Sequence, residues 1–460
     1  MPLPWMDREE ELKRLDRALG ARDPALVVIY GRRRCGKSRL VLEALGERLG
    51  VYFVGDEREG TLQRQSLAAA MDRVIPGFAS VDYPSWESLL VRWGNEAPRR
   101  AVLALDEFPY LAASGPELSS LLQKLIDDPK RWRSHLILCG SSQRMMHGLV
   151  LDASAPLYGR AREILKIEPL LPGWLHTAFP RHRTRELIEA HAVWGGVPRY
   201  WELAVEFDSV REAVRELVLD PLGVLFEEPT RLLLDEMQEI VQASSVLSLI
   251  GAGCHRLSEI AGRLQKPSTA LSGPLRRLVD MGLVRRDVPF GTGERDNKRS
   301  RYVIGDPFLA FWFRFVAPNR SLLAARQIDL VAAEIEKELP TFLGHVWEEL
   351  ARRSVSAFEV AGRRWRPAAP WWGTGVDKRA LEIDIVAESV DRKALLIGEA
   401  KLRVGARDWP GLTKDVLDKV SRFPFAEGRE IIPSVWFAEG AKPPTGWVAV
   451  DGAQVFEGLR

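Results

Sequence analysis

Short apolar runs recur along the first third of the chain, at residues 25–30, 51–54, 101–105, 135–139 and 163–167. Each reads as a strand, and apolar residues at helical spacing fill the stretches between them. Near-continuous apolar strands alternating with helices predict a parallel sheet covered on both faces. The pattern then changes. Residues 170–235 are mostly helical. Residues 236–317 open with a helix over 236–250, followed by two short helices around 255–261 and 268–282. A polar tip at 291–300 separates two strands, 283–288 and Arg301–Ile304. After them a very apolar helix carries Phe308, Phe311, Trp312 and Phe315, an aromatic stripe suited to an interdomain core. Pro318-Asn319 marks a linker. Residues 318–460 return to mixed structure, with strands at 381–387 and 394–402 and a helix at 409–423. Four segments result: 1–169, 170–235, 236–317 and 318–460.

Helix ends carry their own signals. Asp7 and Ser268 are placed as N-caps, and Gly282 as a helix stop.

Residues 27–40 read VVIYGRRRCGKSRL, a strand, a G-x-x-x-x-G-K-S loop and a helix start. This is the context a phosphate-binding loop needs. Backbone N–H groups of such a loop surround an anion, and the helix start adds partial positive charge. Gly31 and Gly36 shape the turn, Lys37 reaches the β/γ-phosphates of ATP, and the Ser38 hydroxyl ligates Mg²⁺. Arg39 completes the set expected at the nucleotide. Asp106 ends the 101–105 strand, where a Mg²⁺-holding carboxylate belongs, and Glu107 is placed to polarise the attacking water. Ser141 and Ser142 end the next strand on the same edge, to sense the γ-phosphate or to cap a helix. Arg160 either stabilises transition-state charge, in its own chain or across a homo-oligomer interface, or is a surface arginine in a turn. Residues 1–20 form an amphipathic helix, with an adenine-side lid as the other reading.

Composition adds bounds. A net charge of +2, 46% hydrophobic and 28% charged residues describe an ordinary globular chain, so partners must be read from local charge. Cys35, Cys139 and Cys254 are too scattered for a disulfide framework or a zinc site. No apolar run approaches the ~18 residues of a membrane span. No signal core is visible at the start, so a cytoplasmic location is expected.

WMDREEEL, YGRRRCGKS, LALDEF, CGSS, PLYGR and GGVPRY, in this order, cover about half of the chain. The series resembles the archaeal-type ATPase family of the STAND/AAA+ group. The resemblance implies an α/β P-loop NTPase core with a helical lid, and another strand standing between the loop strand and the acidic strand. It also implies that the Gly-Pro element closes on the nucleotide, which gives Pro198 the adenine and Arg199 a phosphate. A helix–helix turn is the other reading of those residues. The resemblance implies nucleotide binding more than rapid turnover, since many relatives look like switches.

Residues 254–303 hold eleven Lys/Arg against five Asp/Glu, a local excess of +6. With the helix and strand pattern this predicts a winged helix-turn-helix whose basic helix and wing meet DNA phosphates. Arg276, Arg277, Arg295, Lys298 and Arg299 are the contacts expected. The same fold also serves protein packing.

In the last segment, Asp384 lies in one strand and Glu399 and Lys401 in the next. Glu399 and Lys401 are two apart and share a strand face. Two carboxylates and an amine suit one or two Mg²⁺ and a scissile phosphate. The pattern resembles the PD-(D/E)xK nuclease superfamily, and more narrowly the domain of unknown function that often follows this ATPase type. The resemblance implies a restriction-endonuclease-like α/β fold, with Glu348 as the helix acid at the metal. Ile383 stands where the literal motif has Pro. Lys414 and Lys419 follow on a helix that would track a backbone. Two functions stay open: an ATPase coupled to DNA binding and cleavage, and an ATP-dependent switch with an inert scaffold domain.

Overall fold

The computed structural model describes residues 3–237, 240–293 and 299–460. Five strands, β1 (Leu26–Tyr30), β2 (Gly50–Val54), β3 (Val102–Asp106), β4 (His135–Gly140) and β5 (Ala161–Lys166), form a sheet in the order β2-β3-β4-β1-β5. Every pairing in it is parallel. Helices cover both faces, as buried apolar strands require. Alternate side chains of β1 feed separate cores. Leu26 and Val28 join one, Val27 and Ile29 the other. β4 stands between β1 and β3, as the family resemblance implies. Tyr30, Asp106 and Gly140 therefore end on one sheet edge, where ligands of open parallel sheets bind.

The first helix is Glu9–Leu19, and Arg8 precedes it. Asp7 does not cap it. Asp7 sits at φ +53, and its carboxylate accepts from the Leu171 amide at 3.0 Å. The helices Thr184–Trp194, Pro198–Ala204, Val210–Val214 and Glu228–Glu236 follow the sheet. Gly196 lies against Leu170, whose amide donates to its carbonyl at 2.7 Å. A Cβ on Gly196 would stand 2.0 Å from the Leu170 oxygen. Gly196→Ala is expected to destabilise the chain by about 1–3 kcal/mol, as forced overpacking does. Gly344, inside the long helix Ile328–Ser354, meets nothing within 4 Å. Gly344→Ala should instead add about 0.5–1 kcal/mol. Urea denaturation of both variants checks the contrast.

Helices Ile240–Gly251, Leu257–Arg263 and Ser268–Asp280 lead into an antiparallel hairpin, β6 (Val284–Asp287) and β7 (Arg301–Ile304). Ser268 is the first helical residue rather than the cap; Pro267 precedes it, and the Ser272 hydroxyl donates to the Ser268 carbonyl. Gly282 does end this helix. It sits at φ +72, and the Gly282 and Leu283 amides bond back to Val279 and Leu278. Phe308, Phe311, Trp312 and Phe315 are buried in one large core that runs from residue 3 to residue 459. The expected linker at Pro318-Asn319 is instead a 3₁₀ turn, Ala317–Asn319, running directly into the helix Arg320–Ala324.

The last segment holds β8 (Ala369–Thr374), β9 (Ala380–Glu388), β10 (Ala394–Val404), β11 (Glu430–Gly440) and β12 (Val448–Asp451), ordered β12-β11-β10-β9-β8. β8, β9 and β10 meander antiparallel. β10 and β11 are parallel, joined through the helix Trp409–Arg422. Ile328–Ser354 packs on the sheet through Trp347, whose indole N–H points at the Trp436 carbonyl at 3.3 Å. Among the described residues no helix is long and apolar enough to cross a membrane.

Candidate nucleotide and metal sites

The chain leaves β1 at Gly31, φ +145, where a Cβ would lie 2.3 Å from the Ile167 oxygen. Only glycine lets the loop pass this strand end. Gly36, φ +86, is the N-cap position of the helix Lys37–Leu45, so the left-handed turn falls where the helix begins. Lys37 Nζ donates to the carbonyls of Gly31 and Arg32, both at 2.9 Å. The Ser38 hydroxyl donates to Asp106 Oδ2 at 2.6 Å, and the Tyr52 hydroxyl donates to the same oxygen at 2.6 Å. The Glu107 amide holds Oδ1 at 2.9 Å. Burial alone would push the Asp106 carboxyl up. Hydrogen bonds from Ser38, Tyr52, the Cys139 thiol and the Glu107 amide outweigh it and hold Asp106 below its usual range. Burial and the Asp106 carboxylate in turn push the Tyr52 hydroxyl well up, so it stays a donor.

Glu107 takes a left-handed conformation at φ +49. Its Oε2 accepts from the amide and hydroxyl of Ser141, at 3.0 and 2.9 Å. Ser142 caps the short helix Gln143–Met146. Ser142 thus takes the capping role, and Ser141 faces Glu107.

The loop arginines face other parts of the chain. Arg32 pairs with Asp306 and donates to the Tyr200 hydroxyl at 3.2 Å. Arg34 pairs with Glu228 at 2.9 Å, and Tyr200 donates to Glu228 at 3.0 Å. From the GGVPRY tract it is therefore Tyr200 that joins the loop. Pro198 begins the Pro198–Ala204 helix, and Arg199 is exposed and pairs with Glu202 at 3.0 Å. Arg39 holds the N-terminal segment instead of facing the loop's interior. It donates to the Leu3 carbonyl at 2.9 Å and lies over the Trp5 ring at 5.5 Å. Arg8 donates to the carbonyls of Glu168 and, at 3.4 Å, of Cys35 in the loop. Arg160 is not brought to its own chain's loop. It grips Asp127 with two 2.8 Å bonds. It also precedes β5, which starts beside Leu26 at the opposite end of β1.

In the C-terminal sheet, the register Gly398↔Ile385 puts Glu399 opposite Asp384 one step on. Lys401 Nζ is 3.0 Å from Glu399 and 4.0 Å from Asp384. Lys419, from the Trp409–Arg422 helix, forms an ion pair with the other Glu399 oxygen at 2.6 Å. The Ala400 amide donates to Asp384 at 3.0 Å. Asp384, Glu399 and Lys401 thus converge, and Glu348 lines one cavity with them. It pairs with His345 at 3.6 Å and Arg352 at 3.8 Å. Among the described residues no group of three or more His, Cys, Asp and Glu is arranged to hold a metal ion. A cavity of about 680 Å³ joins this cluster to Arg285 and Arg301 of the hairpin. Of the expected DNA contacts, Arg276 and Arg277 are exposed on the outer face of Ser268–Asp280, while Leu271, Leu275 and Leu278 bury the inner face. Arg299 is engaged elsewhere, donating to the Trp372 carbonyl of β8 at 2.7 Å. Arg295 and Lys298 lie outside the described residues.

Residues 5–202 match a family profile described as an ATPase domain predominantly from Archaea. An uncharacterized protein of Methanocaldococcus jannaschii is 30% identical over 429 residues, covering 90% of this chain and 91% of that protein. The chain belongs to this archaeal-type ATPase family. Residues 312–411 of the ATPase match a second profile, described as Archaea bacterial proteins of unknown function. A Walker-type ATPase of Pyrococcus abyssi shares its fold, with TM-score 0.52 and 23% identity over 67% of this chain and 96% of that one. The ORC2 protein of Aeropyrum pernix gives TM-score 0.46 and 16% identity over 71% of this chain and 96% of that one.

Sequence reasoning missed Tyr52, Tyr200, Glu228 and Asp306 around the loop. Tyr200 was visible inside GGVPRY, but nothing local marks Asp306 or Glu228 as partners of the loop. In the C-terminal cluster of the ATPase, burial pushes the Asp384 carboxyl up, and Glu399 and Glu348 add to it, to about 7. Folding therefore favours the protonated form. That contribution is complete below the ordinary value of 3.8 and is lost as pH rises towards 7. Asp384→Asn keeps an acceptor for the Ala400 amide and removes the charge. It is expected to stabilise the chain more at pH 8 than at pH 5, measured by urea denaturation at both.

Proposed function

We propose that the ATPase hydrolyses ATP with Mg²⁺ and couples this to DNA binding by a winged helix-turn-helix, and that its last domain is a Mg²⁺-dependent nuclease of PD-(D/E)xK type. The observation that carries the first part is the edge where Ser38, Asp106, Glu107 and Ser141 meet. Ser38 and Asp106 offer adjacent hard oxygen donors, the chemistry that fits Mg²⁺. Bound there, the ion would neutralise charge on the β- and γ-phosphates. Lys37 turns from the loop carbonyls to the phosphates. Glu107 has one oxygen fixed by Ser141 and offers the other to a water as proton acceptor. Phosphate release from ATP, with and without duplex DNA, tests the coupling. A folded chain that binds no nucleotide, or whose turnover ignores DNA, overturns it.

For DNA, the support is the exposed pair Arg276 and Arg277 within a locally basic unit. Phosphate contacts of this kind position a protein without reading sequence. The double variant Arg276→Ala/Arg277→Ala should weaken duplex binding and flatten its salt dependence by about two phosphate contacts, a slope change of ~1.8. Fluorescence anisotropy between 50 and 200 mM salt measures it, and an unchanged slope rules these arginines out.

Asp384, Glu399 and Lys401 support the nuclease reading through their convergence. A second reading, an ATP-dependent switch with an inert scaffold domain, draws on one observation: both Glu399 oxygens already face lysines.

A further inference from the structure

We propose that the β6–β7 hairpin is a latch over the Asp384–Glu399–Lys401 site, and that the phosphate-binding loop holds the latch through Arg32. The proposal rests on the functional reading above for the chemistry of both sites and adds how one controls the other.

The hairpin is docked on the C-terminal sheet. Arg301 pairs with Glu382 at 2.9 Å, and its guanidinium lies 4.3 Å from the Trp372 ring centre. The Phe290 amide donates to the Pro370 carbonyl at 2.9 Å, and Arg285 pairs with Glu349 on the long helix. The cavity behind these contacts contains the carboxylate–lysine site and measures about 680 Å³. Arg285, Asp287 and Arg301 of the hairpin form one wall of that cavity, so movement of the hairpin changes how a strand reaches Lys401. Of these ties, the Arg301–Glu382 pair is suited to moving. The Arg301 and Glu382 side chains are 37% and 62% exposed, and ion pairs of that exposure are individually weak.

The other end of the hairpin leads to the loop. β7 ends at Ile304, and two residues later Asp306 pairs with Arg32. Both side chains of this pair are largely buried, at 11% and 8% exposed, so moving one partner alone strands a buried charge. The backbone of Arg32 is held in turn by Lys37, which donates to its carbonyl at 2.9 Å. A phosphate on the loop draws Lys37 towards itself and takes that donor from Arg32. The residue whose backbone the nucleotide releases is thus the residue whose side chain fixes the root of β7. The nucleotide biases the latch because it meets a different loop in the docked and released states.

Hydrogen exchange on the full chain tests this. The readouts are segment 288–293, which contains the Phe290 amide, and segment 369–374 of β8. The probe is a non-hydrolysable ATP analogue with Mg²⁺, with its binding measured separately by calorimetry. Asp306→Asn keeps the cap on the Leu309 amide (Asp306 accepts from it at 2.8 Å) and removes the charge that holds Arg32. The analogue in wild type, and Asp306→Asn without it, are each expected to speed exchange in both segments by about 5- to 150-fold, the usual range of coupling between sites. Exchange in β1 and β4 should not change. Unchanged exchange in Asp306→Asn overturns the latch, and so does unchanged exchange in wild type that binds the analogue. If the analogue does not bind, the nucleotide reading of the loop fails and control by nucleotide fails with it. Exchange in Asp306→Asn then still decides whether Asp306 holds the hairpin.

Discussion

Lys37→Ala is expected to lower ATP turnover by about 10²–10³-fold, the loss that follows removal of one preorganised donor from a site of developing charge. The reason is geometric. Lys37 Nζ lies inside the loop, bonded to the carbonyls at 31 and 32, from which it turns to reach phosphate oxygens. Three neighbouring arginines are engaged elsewhere. Arg32 and Arg34 point away, to Asp306 and Glu228, and Arg39 is held by Leu3 and Trp5. The variant should stay folded, because the Lys37–Leu45 helix keeps Gly36 as its N-cap and its apolar face of Leu40, Val41, Ala44 and Leu45. Steady-state phosphate release, with circular dichroism as the folding control, measures the effect. Turnover within a few-fold of wild type would remove the loop from catalysis.

Lys401→Ala is expected to eliminate Mg²⁺-dependent strand cleavage, by at least about 10²-fold, while ATP turnover stays unchanged. Burial works against the Lys401 charge, but Glu399, Asp384 and Glu348 outweigh it and hold the ammonium above its ordinary range. It is therefore a fixed positive charge beside two carboxylates, suited to a phosphodiester that gains charge in the transition state. Removing it leaves Asp384 and Glu399 to bind the metal, so a thermal shift on adding Mg²⁺ should persist. Nicking of supercoiled and branched DNA, with and without ATP, reads the activity. Cleavage that survives in Lys401→Ala belongs to another site or another protein. A wild-type chain that cuts none of these substrates, under conditions that release the hairpin, leaves the inert-scaffold reading.

Much of this molecule is legible along the chain because its signals are local. Apolar runs mark β1, β3 and β4 most clearly, since a strand buried on both faces has no polar side. Gly31 and Gly36 mark a loop whose backbone angles other residues adopt at a cost. Asp384, Glu399 and Lys401 are legible because a hairpin places the first opposite the second. Helix ends were less so. Asp7 and Ser268 are good cap residues by type, but a cap depends on backbone angles, and tertiary contacts give Asp7 a different partner in Leu171.

By itself, the sequence determined the order of strands and helices, the phosphate-binding loop, the acidic strand end and the carboxylate–lysine pair. These follow from residue type at short spacing. Only the tertiary structure decided that Tyr52 shares Asp106 with Ser38 and that Arg160 lies at the opposite end of the sheet from its own loop. It alone joined Arg32 to Asp306 and set Arg301 against Glu382. Such pairings link residues far apart in sequence. They depend on how whole elements pack, and no local pattern of charge or hydrophobicity records which arginine will meet which carboxylate.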